Sequence, residues 1–295
     1  MIEKWLFLQI NKKMFKRFFS YLFLFFLIFN FSFLFSCKGE SNDINPGDDP
    51  NFTIISHSDP GFSTTNRKVS VFGIDIYAVA EVNDSKLLHA ANVLAQYLDN
   101  NEDGLVDNVQ IHNKMIENKS FVIMWKYDTD LDINPPNNRI GQDLGDDETN
   151  PNFVINNRQG QFDASLEEIW HIISHSGYAY AYPEVFGENP GTTLTNAMDI
   201  ARGGYFITVP QSYPSNAWYT YYDYTCEYEC MAAEYIYWGI TSILGAQENR
   251  LNEIGDEWIL NTPELVQSID SGLYKLLTSQ DYNLPTVLPD GAYNQ

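Results

Sequence analysis

The sequence predicts an α+β fold with a short sheet in the first half and a helix-rich second half. Between residues 52 and 82, β-branched and aromatic residues alternate with polar ones, as in Val69-Ser-Val-Phe-Gly-Ile-Asp-Ile-Tyr-Ala-Val79. From residue 84 onward the apolar residues recur at helical spacing, most clearly over 86–98 and 225–244. We expect residues 52–295 to form one domain.

The elements follow in order from apolar spacing and turn residues. The predicted strands are 53–55, 69–79, 121–125 and 153–156. The predicted helices are 86–98, 165–177, 225–244, 248–258 and 262–278. Thr262 is suited to cap the last helix, because Pro263 then occupies its first turn.

Residues 1–36 have the pattern of an export signal. Four basic residues lie between Lys12 and Arg17, and the run from Phe18 to Phe35 is almost wholly apolar. The string Leu34-Phe35-Ser36-Cys37 then resembles the lipobox of bacterial lipoproteins. That resemblance implies cleavage before Cys37, a lipid on its sulfur and a lipid anchor in the membrane. An uncleaved transmembrane anchor is the alternative.

Residues 38–51 are polar and predict a flexible tether behind the lipidated Cys37. The residue after the cysteine is Lys38, not the aspartate associated with inner-membrane retention in lipoproteins. The resemblance therefore implies an extracytoplasmic protein of the outer membrane or cell surface. Translation from Met14 would give a signal of ordinary length, whereas translation from Met1 gives a longer one.

The charge of the mature chain excludes one class of partner. Five of the 17 basic and one of the 39 acidic residues lie in 1–36, which leaves 12 basic and 38 acidic residues and a net charge of −26. Phosphate recognition requires lysine and arginine, so nucleic acid is not an expected partner. Such a chain suits divalent cations, and we expect it to be a monomer.

Three cysteines fit an exported protein. If Cys37 carries lipid, Cys226 and Cys230 remain, and an even remainder in an oxidising compartment predicts a disulfide between them. Residues four apart on a helix are near enough for that bond. A pair of metal-binding thiolates is the alternative.

Residues 99–110 predict a calcium loop that follows directly on a helix. The string Asp99-Asn-Asn101-Glu-Asp103-Gly104-Leu105-Val-Asp107 closely resembles an EF-hand or dockerin loop. Calcium prefers hard oxygen ligands. The resemblance implies that side chains supply four of them and that one is a backbone carbonyl; the ligands are Asp99, Asn101, Asp103, Leu105 and Asp107. Gln110 replaces the usual last glutamate, so we expect weak affinity.

The stretch Ser165-Leu-Glu-Glu-Ile-Trp-His171-Ile-Ile-Ser-His175-Ser-Gly177 predicts the central helix. Ser165 and Glu168 form a capping-box pattern, and Gly177 is a stop. His171 and His175 are four apart, so we expect them on one face, with Glu167 and Glu168 one turn earlier. Imidazoles and carboxylates on one helical face predict half of a metal site. Ordinary packed histidines are the alternative.

This helix resembles that of the zincin metallopeptidases, whose motif is H-E-x-x-H. His171 and His175 match the spacing of the two metal-binding histidines, but Ile172 stands where the family has its catalytic glutamate. In the gluzincin branch a later helix supplies a glutamate, and Glu234, flanked by apolar residues, is the best third ligand. Glu168 is then either a ligand, a displaced base or only a helix cap.

We therefore expect an exported, lipid-anchored calcium protein with a zincin-like site for zinc or another transition metal, and a divergent metallohydrolase or metallopeptidase is the leading function. A non-catalytic, calcium-stabilised surface protein is the second. In that case the aromatic-rich stretch 213–224 binds a glycan or a protein. The sequence names no substrate beyond the peptide or glycan class.

Overall fold

A five-stranded sheet occupies the first half of the chain and most helices follow it, which confirms the predicted α+β class. The computed structural model describes residues 52–136 and 139–293. The strands are β1 (Ile55–Ser56), β2 (Arg67–Val71), β3 (Ile74–Ala78), β4 (Phe121–Trp125) and β5 (Gly141–Gly145).

The strands lie in the sheet in the order in which they occur in the chain. β1, β2 and β3 are antiparallel, whereas β3, β4 and β5 are parallel. Val71 pairs with Ile74, so the β2–β3 hairpin turns on Phe72 and Gly73, whose φ angles are 47° and 81°. Positive φ at both central residues matches the twist of a tight hairpin. The parallel pairing of β3 with β4 requires a crossover, which the first two helices supply.

The helices divide into a pair within the crossover and a group after the sheet. They are α1 (Asp84–Leu98), α2 (Val109–Glu117), α3 (Ser165–Ile173), α4 (Ala179–Ala181), α5 (Pro183–Phe186), α6 (Thr193–Ala201), α7 (Tyr228–Ile243), α8 (Leu251–Ile254), α9 (Pro263–Ile269) and α10 (Ser271–Leu277). Thr262 caps α9 as predicted, and its side chain accepts a hydrogen bond from the Leu265 amide.

Four predicted elements are wrong. Residues 69–79 are not one strand, because a turn at Phe72 and Gly73 divides them between β2 and β3. Residues 153–156 form turns, and the last strand is instead β5, whose sequence Gly-Gln-Asp-Leu-Gly has little β propensity. The predicted helix 248–258 is reduced to α8. The predicted helix 262–278 is two helices, because Asp270 interrupts it and its carboxylate accepts a hydrogen bond from the Leu273 amide to cap α10.

The expected capping box of the central helix is also wrong. Ala164 occupies the N-cap position of α3, and the side chain and amide of Ser165 both donate to Asp163. The helix does not stop at Gly177. It continues as a π-helical segment, Ser174–Tyr178, and then as α4. The acid that caps this helix lies two residues before Ser165.

The main hydrophobic core lies between one face of the sheet and the helices. Ile74 and Ile76 of β3 belong to it, together with Leu94 of α1, Trp170 of α3 and Ile240 of α7, all of them fully buried. Burial of side chains of this size contributes about 1.5–3 kcal/mol each, which makes it the main source of stability. The core thereby fixes α3 and α7 against each other.

The other face of the sheet carries a smaller aromatic cluster. Tyr77 alternates with the core residues of β3 and stacks on Phe62, with ring centroids 3.9 Å apart. The Arg139 guanidinium lies 4.8 Å from the centroid of Phe62 and 4.9 Å from that of Phe121. Cation–π contacts of this kind cover the second face without a layer of helices.

Candidate metal centre

Two buried contacts set the position of α3 before any functional group is considered. The Asp163 carboxylate, just before α3, lies 2.6 Å from Nε2 of His89 on α1. Gln142 of β5 donates from Nε2 to Oε2 of Glu168 over 2.6 Å. Buried polar groups that are paired in this way hold neighbouring elements in one arrangement. The helix is therefore tied to both α1 and the sheet at its first turn.

Three potential metal ligands meet where α3 packs on α7. His171 Nε2 lies 3.6 Å from Oε1 of Glu234 and 4.0 Å from Oε1 of Glu167. One ligand atom from each of the three residues lies within 4.8 Å of the other two. His171 and Glu234 are buried and Glu167 is partly buried. We call this group the seam site.

The seam site contains two of the predicted ligands, His171 and Glu234, on the elements that the sequence indicated. It also contains Glu167, which precedes His171 by one helical turn and so lies on the same face. It does not contain Glu168, which is directed to β5 and is 3% exposed. Glu168 therefore lies on the side of α3 that contacts the sheet, outside the seam site.

His175 is likewise outside the group that the described residues form around His171. Its Nδ1 lies 2.7 Å from Oε2 of Glu188, on the segment between α5 and α6. The sequence predicted that both histidines bind one metal ion, but His175 lies in the π-helical segment and contacts Glu188 instead. The two histidines thus have different carboxylate partners.

The His175–Glu188 pair stabilises the charged imidazole. Burial alone would lower the pKa of His175, but the charge of Glu188 and its hydrogen bond outweigh burial and raise it. Glu229 of α7 adds to that effect. Its own pKa is raised by burial first and then by the charge of Glu188. No sequence pattern predicted a role for Glu188, yet its charge and its hydrogen bond raise the pKa of His175.

The sequence did contain a pattern that would have selected Glu167. The string Glu167-Glu168-Ile-Trp-His171 has the spacing of H-E-x-x-H with a glutamate in place of the first histidine. Glu167 therefore precedes His171 by the same four residues that separate the two histidines of that motif.

The surroundings of the seam site are strongly negative. Burial raises the pKa of Tyr221, and the charges of Glu234, Glu257 and Glu167 raise it further. Burial and then Glu234 have the same effect on the pKa of Tyr219. Both phenols therefore keep their protons at any physiological pH. The ring of Tyr237 also packs beside the seam site, with its centroid 5.4 Å from that of the His171 ring.

The donor set fits a divalent transition metal. Imidazole suits zinc, iron and nickel, and carboxylates suit zinc and manganese as well. A tetrahedral ion with ligand distances of about 2.1 Å holds its ligand atoms about 3.4 Å apart. The 3.6 and 4.0 Å separations at His171 need only a small contraction. One buried and one partly buried carboxylate lie beside the imidazole, and a divalent cation would compensate their negative charge.

The predicted calcium loop joins α1 to α2, as in a helix-loop-helix. Asp99 is fully buried, and its two oxygens accept hydrogen bonds from the amides of Asp103 and Gly104 at 3.1 and 2.7 Å. The Asn101 and Asp103 side chains accept from the amides of Asp103 and Leu105. Gly104 has a φ of +87°, which is why glycine suits this position.

Asp107 closes the loop by accepting a hydrogen bond from the Asn100 amide at 2.6 Å. Burial raises the pKa of Asp107, the hydrogen bond from Asn100 opposes that, and the charges of Asp99 and Asp103 raise it further. The three aspartates therefore repel one another in the absence of a cation. All five predicted calcium ligands belong to this one loop.

A C-terminal segment, residues 283–293, lies across the loop. Asn100 Oδ1 accepts from the amides of Thr286 and Val287, both at 2.8 Å. The Tyr293 hydroxyl donates to Oδ2 of Asp99, inside the loop. The loop is thus held from outside by residues that are far from it in the sequence.

The structure joins Cys226 and Cys230 in a disulfide, with their Cα atoms 5.4 Å apart. The bridge spans the start of α7, which carries Glu234 two turns further on. The separation lies in the ordinary range for the bond. Its position favours a role in fixing the entry to α7 over a role as a thiolate pair.

Cys37 and the export signal lie outside the described residues. Within the residues that the structure does describe, no helix has the length and apolar character needed to span a bilayer. Neither the family models, nor the curated proteins, nor the solved structures contain a match to this chain. The seam site and the loop at 99–107 are therefore the features from which a function can be proposed.

Proposed function

We propose that this protein is an exported, lipid-anchored metallohydrolase with a zincin-like centre, in which Glu167, His171 and Glu234 hold a divalent metal ion. The observation that carries the proposal is the meeting of these three donors within 4.8 Å at the packed junction of α3 and α7. Two carboxylates and one imidazole that meet between packed helices are a donor set that a divalent metal ion accepts. Zinc is the metal that best suits one imidazole and two carboxylates.

The residues have separate roles in this proposal. A bound zinc ion acts as a Lewis acid that polarises a carbonyl and acidifies water. Glu168, oriented by Gln142, accepts the proton of the attacking water. A peptide bond is the substrate class that the resemblance to zincins implies.

Calcium in the loop at 99–107 supports the fold in the same proposal. The loop carries the oxygen donors that calcium prefers, and the repulsion among Asp99, Asp103 and Asp107 is relieved by a cation. The ligand types, the glycine and the flanking helices support this assignment. Its role is structural, because the loop holds α1, α2 and the C-terminal segment together.

A non-catalytic surface protein is the second candidate, favoured by one observation. Tyr205, Tyr222 and Tyr224 lie in the segment between α6 and α7 and are 53%, 51% and 74% exposed. Exposed aromatic rings are typical of surfaces that bind glycans or proteins. In that case the seam site has no catalytic function and calcium alone holds the fold.

The deciding experiment is a metal-binding series on the full-length protein. Zinc content and zinc affinity are measured for the wild type, Glu167→Gln, His171→Ala and Glu234→Gln, with His175→Gln as the matched histidine control. We expect about one zinc per chain, a loss of affinity of at least about 100-fold in the first three variants, and little change in His175→Gln. Equal zinc binding by all the variants would contradict the assignment.

Activity is tested with Glu168→Gln. We expect this variant to keep its zinc and to lose peptide hydrolysis by about 100-fold or more, because the general base is removed while the ligands remain. If zinc binds but neither the wild type nor any variant hydrolyses peptides, the site is structural and the second candidate function stands.

A further inference from the structure

The segment from Gly203 to Tyr222, which forms most of the connection between α6 and α7, has an unusual composition. It contains no aspartate, glutamate, lysine or arginine, although these four types make up 19% of the whole sequence. Its side chains are instead mainly aromatic rings, hydroxyls and amides. The segment therefore offers stacking surfaces and hydrogen-bonding groups to a partner, but no formal charge of its own.

Tyr205, at the start of this segment, is exposed but held in place. Its side chain is 53% exposed, and its ring centroid lies 5.3 Å from that of the buried Tyr228. Tyr228 is itself fixed, because its hydroxyl donates to Oδ2 of Asp199 at 2.9 Å. The Arg202 guanidinium also lies 5.1 Å from the centroid of Tyr228. A ring that is held in this way loses little conformational freedom when it binds a partner.

Tyr222, at the end of the segment, is braced in a similar way. It is 51% exposed and packs edge-to-face with Tyr213, with ring centroids 5.8 Å apart. Tyr213 packs edge-to-face with Phe206 in turn, at 5.6 Å, and Phe206 follows Tyr205 in the chain. We call Tyr205, Phe206, Tyr213 and Tyr222 the aromatic strip. Its contacts connect two exposed rings through two partly buried ones.

The aromatic strip ends next to the seam site. The Tyr213 hydroxyl donates to the backbone carbonyl of Tyr221 at 3.0 Å. Burial and the charges of Glu234 and Glu167 raise the pKa of Tyr221, so its phenol lies on the side of the seam site. Tyr222 is the next residue, about 3.8 Å further along the backbone, and its side chain is exposed. A molecule bound on Tyr222 therefore lies beside the seam site.

We propose that the aromatic strip binds the neutral sugar units of a glycan, and that the peptide which carries this glycan is the substrate of the seam site. The inference rests on the proposed function and names its substrate class. Sugar rings present C–H groups on their faces, and the negative faces of aromatic rings attract such groups. The hydroxyls and amides of the segment suit the sugar hydroxyls. A segment without charges favours this partner over an acidic glycan, a basic peptide or an anionic lipid.

Binding is tested on the zinc-loaded full-length protein with three neutral hexasaccharides: mannohexaose, cellohexaose and chitohexaose. An alginate hexasaccharide is the acidic counterpart, and titration calorimetry gives each affinity. The variants are Tyr205→Ala and Tyr222→Ala. Tyr127→Ala is the matched control, since Tyr127 is 59% exposed and lies after β4, outside the aromatic strip.

We expect at least one neutral hexasaccharide to bind, and the alginate hexasaccharide to bind at least about tenfold more weakly. Tyr205→Ala and Tyr222→Ala should each weaken binding about five- to tenfold, because each removes one stacking ring. Tyr127→Ala should leave the affinity unchanged. Absence of binding by all three neutral hexasaccharides, or equal affinities in the wild type and Tyr222→Ala, would overturn the glycan assignment.

Two other partners are measured by sedimentation. A dimer of the wild type that Tyr222→Ala dissociates would assign the aromatic strip to a second copy of the chain. Binding to phosphatidylcholine vesicles that the same substitution abolishes would assign it to a lipid surface. Either result, without binding of a hexasaccharide, would overturn the proposal.

The link to the seam site is tested by cleavage of a glycopeptide pool. The peptides carry neutral glycans of the oligomannose and asialo complex types, and the comparison pool has the same peptides with each glycan trimmed to its first sugar unit. Mass spectrometry gives the cleavage rates. We expect the full glycopeptides to be cleaved about fivefold faster, and Tyr222→Ala to remove that advantage without changing the zinc content. Equal rates for the two pools in the wild type would overturn the substrate assignment.

The binding and cleavage measurements separate this inference from the proposed function. If zinc binds and neither pool is cleaved, the hydrolase proposal fails. Hexasaccharide binding that is lost in Tyr222→Ala would then still show a glycan site on the aromatic strip. If both pools are cleaved at equal rates and no hexasaccharide binds, the hydrolase proposal stands and the glycan assignment fails.

Discussion

The loop at 99–107 and the seam site are both candidate cation sites, but they are built in opposite ways. The loop takes its donors from consecutive residues, and its carboxylates accept hydrogen bonds from the loop's own amides, as Asp99 does from Asp103 and Gly104. The seam site takes its donors from two helices that meet only in the folded protein. The loop is therefore shaped by its own backbone, whereas the seam site exists only if the core packs correctly.

This difference predicts how each site responds to loss of its ion. In the loop, the backbone hydrogen bonds remain when calcium leaves, so the shape persists at the cost of repulsion among aspartates. In the seam site, Glu167 and Glu234 belong to different helices, and each lies near His171. Three sets of substitutions test this difference between the two sites.

The largest effect is expected from Asp99→Ala. The substitution leaves the buried Gly104 amide and the Tyr293 hydroxyl without their acceptor, so unfolding should become easier by about 3 kcal/mol even without calcium. The exposed ligand Asn101 provides the comparison, because Asn101→Ala should reduce calcium affinity with a much smaller loss of stability. Urea unfolding in EGTA and calcium titration calorimetry measure the two quantities.

If the Asp99→Ala variant unfolds at the same urea concentration as the wild type, the hydrogen bonds to Asp99 do not hold the loop. The shape of the loop would then depend on its ion. A loss of calcium binding confined to Asn101→Ala would contradict the ligand assignment of the loop.

A smaller effect of opposite sign is expected from Glu234→Gln. In zinc-free protein, removing one of two neighbouring negative charges should stabilise the fold by about 1 kcal/mol. With saturating zinc the same variant should be less stable than the wild type, because the wild type gains free energy from the bound ion. Thermal unfolding with EDTA and with zinc measures both, and Glu264→Gln on the surface should show neither change. A loss of stability in EDTA would argue that Glu234 is a structural hydrogen-bond acceptor first.

The smallest effects concern two histidines, one beside each site. Burial lowers the pKa of His112 on α2, although its ring hydrogen-bonds the Phe72 carbonyl; the pKa of His175 is raised. The folded state therefore binds a proton at His112 less readily than the unfolded chain does, and one at His175 more readily. His112 contributes stability above pH 6.5 that is lost as the pH falls through its folded pKa. His175 contributes stability below pH 6.5 that is lost as the pH rises through its folded pKa.

Each contribution should be below about 1 kcal/mol, and the two should be separable by substitution. His112→Gln should flatten the acid side of a stability profile between pH 5 and 8, and His175→Gln should flatten the alkaline side. Urea midpoints in EDTA give the profiles, and the NMR shifts of the imidazole protons give the pKa values directly. A lowered pKa of His175 would show that Glu188 does not stabilise the charged form of its imidazole.

The sequence predicted those features that are encoded locally. The α+β class follows from period-two and helical spacing, and the loop from donors at fixed offsets. The choice of Glu234 followed from its lone charge among apolar neighbours. Glu188 has no such pattern, since only the packing of the segment after α5 brings it to His175. The π-helical segment was equally hidden, and His175 within it contacts Glu188 and lies outside the seam site.

The strand β5 was missed for a related reason. Its residues have low β propensity, and its pairing with β4 and its contact through Gln142 with Glu168 are tertiary effects. The omission of Glu167 from the predicted ligands had a different cause. Those ligands were chosen from the spacing of the two histidines, although Glu167 also precedes His171 by four residues and lies 4.0 Å from it.

The hydrogen bond between Tyr293 and Asp99 joins residues that are 194 positions apart. Closing so long a segment costs chain entropy that short-range contacts do not, and contacts of large sequence separation slow folding. The helix-loop-helix can form its local turns early, but it acquires its outer hydrogen bonds only when nearly the whole chain is available. Docking of residues 283–293 is thus a late step in folding. A refolding experiment should find Tyr293 ordered after α1 and α2.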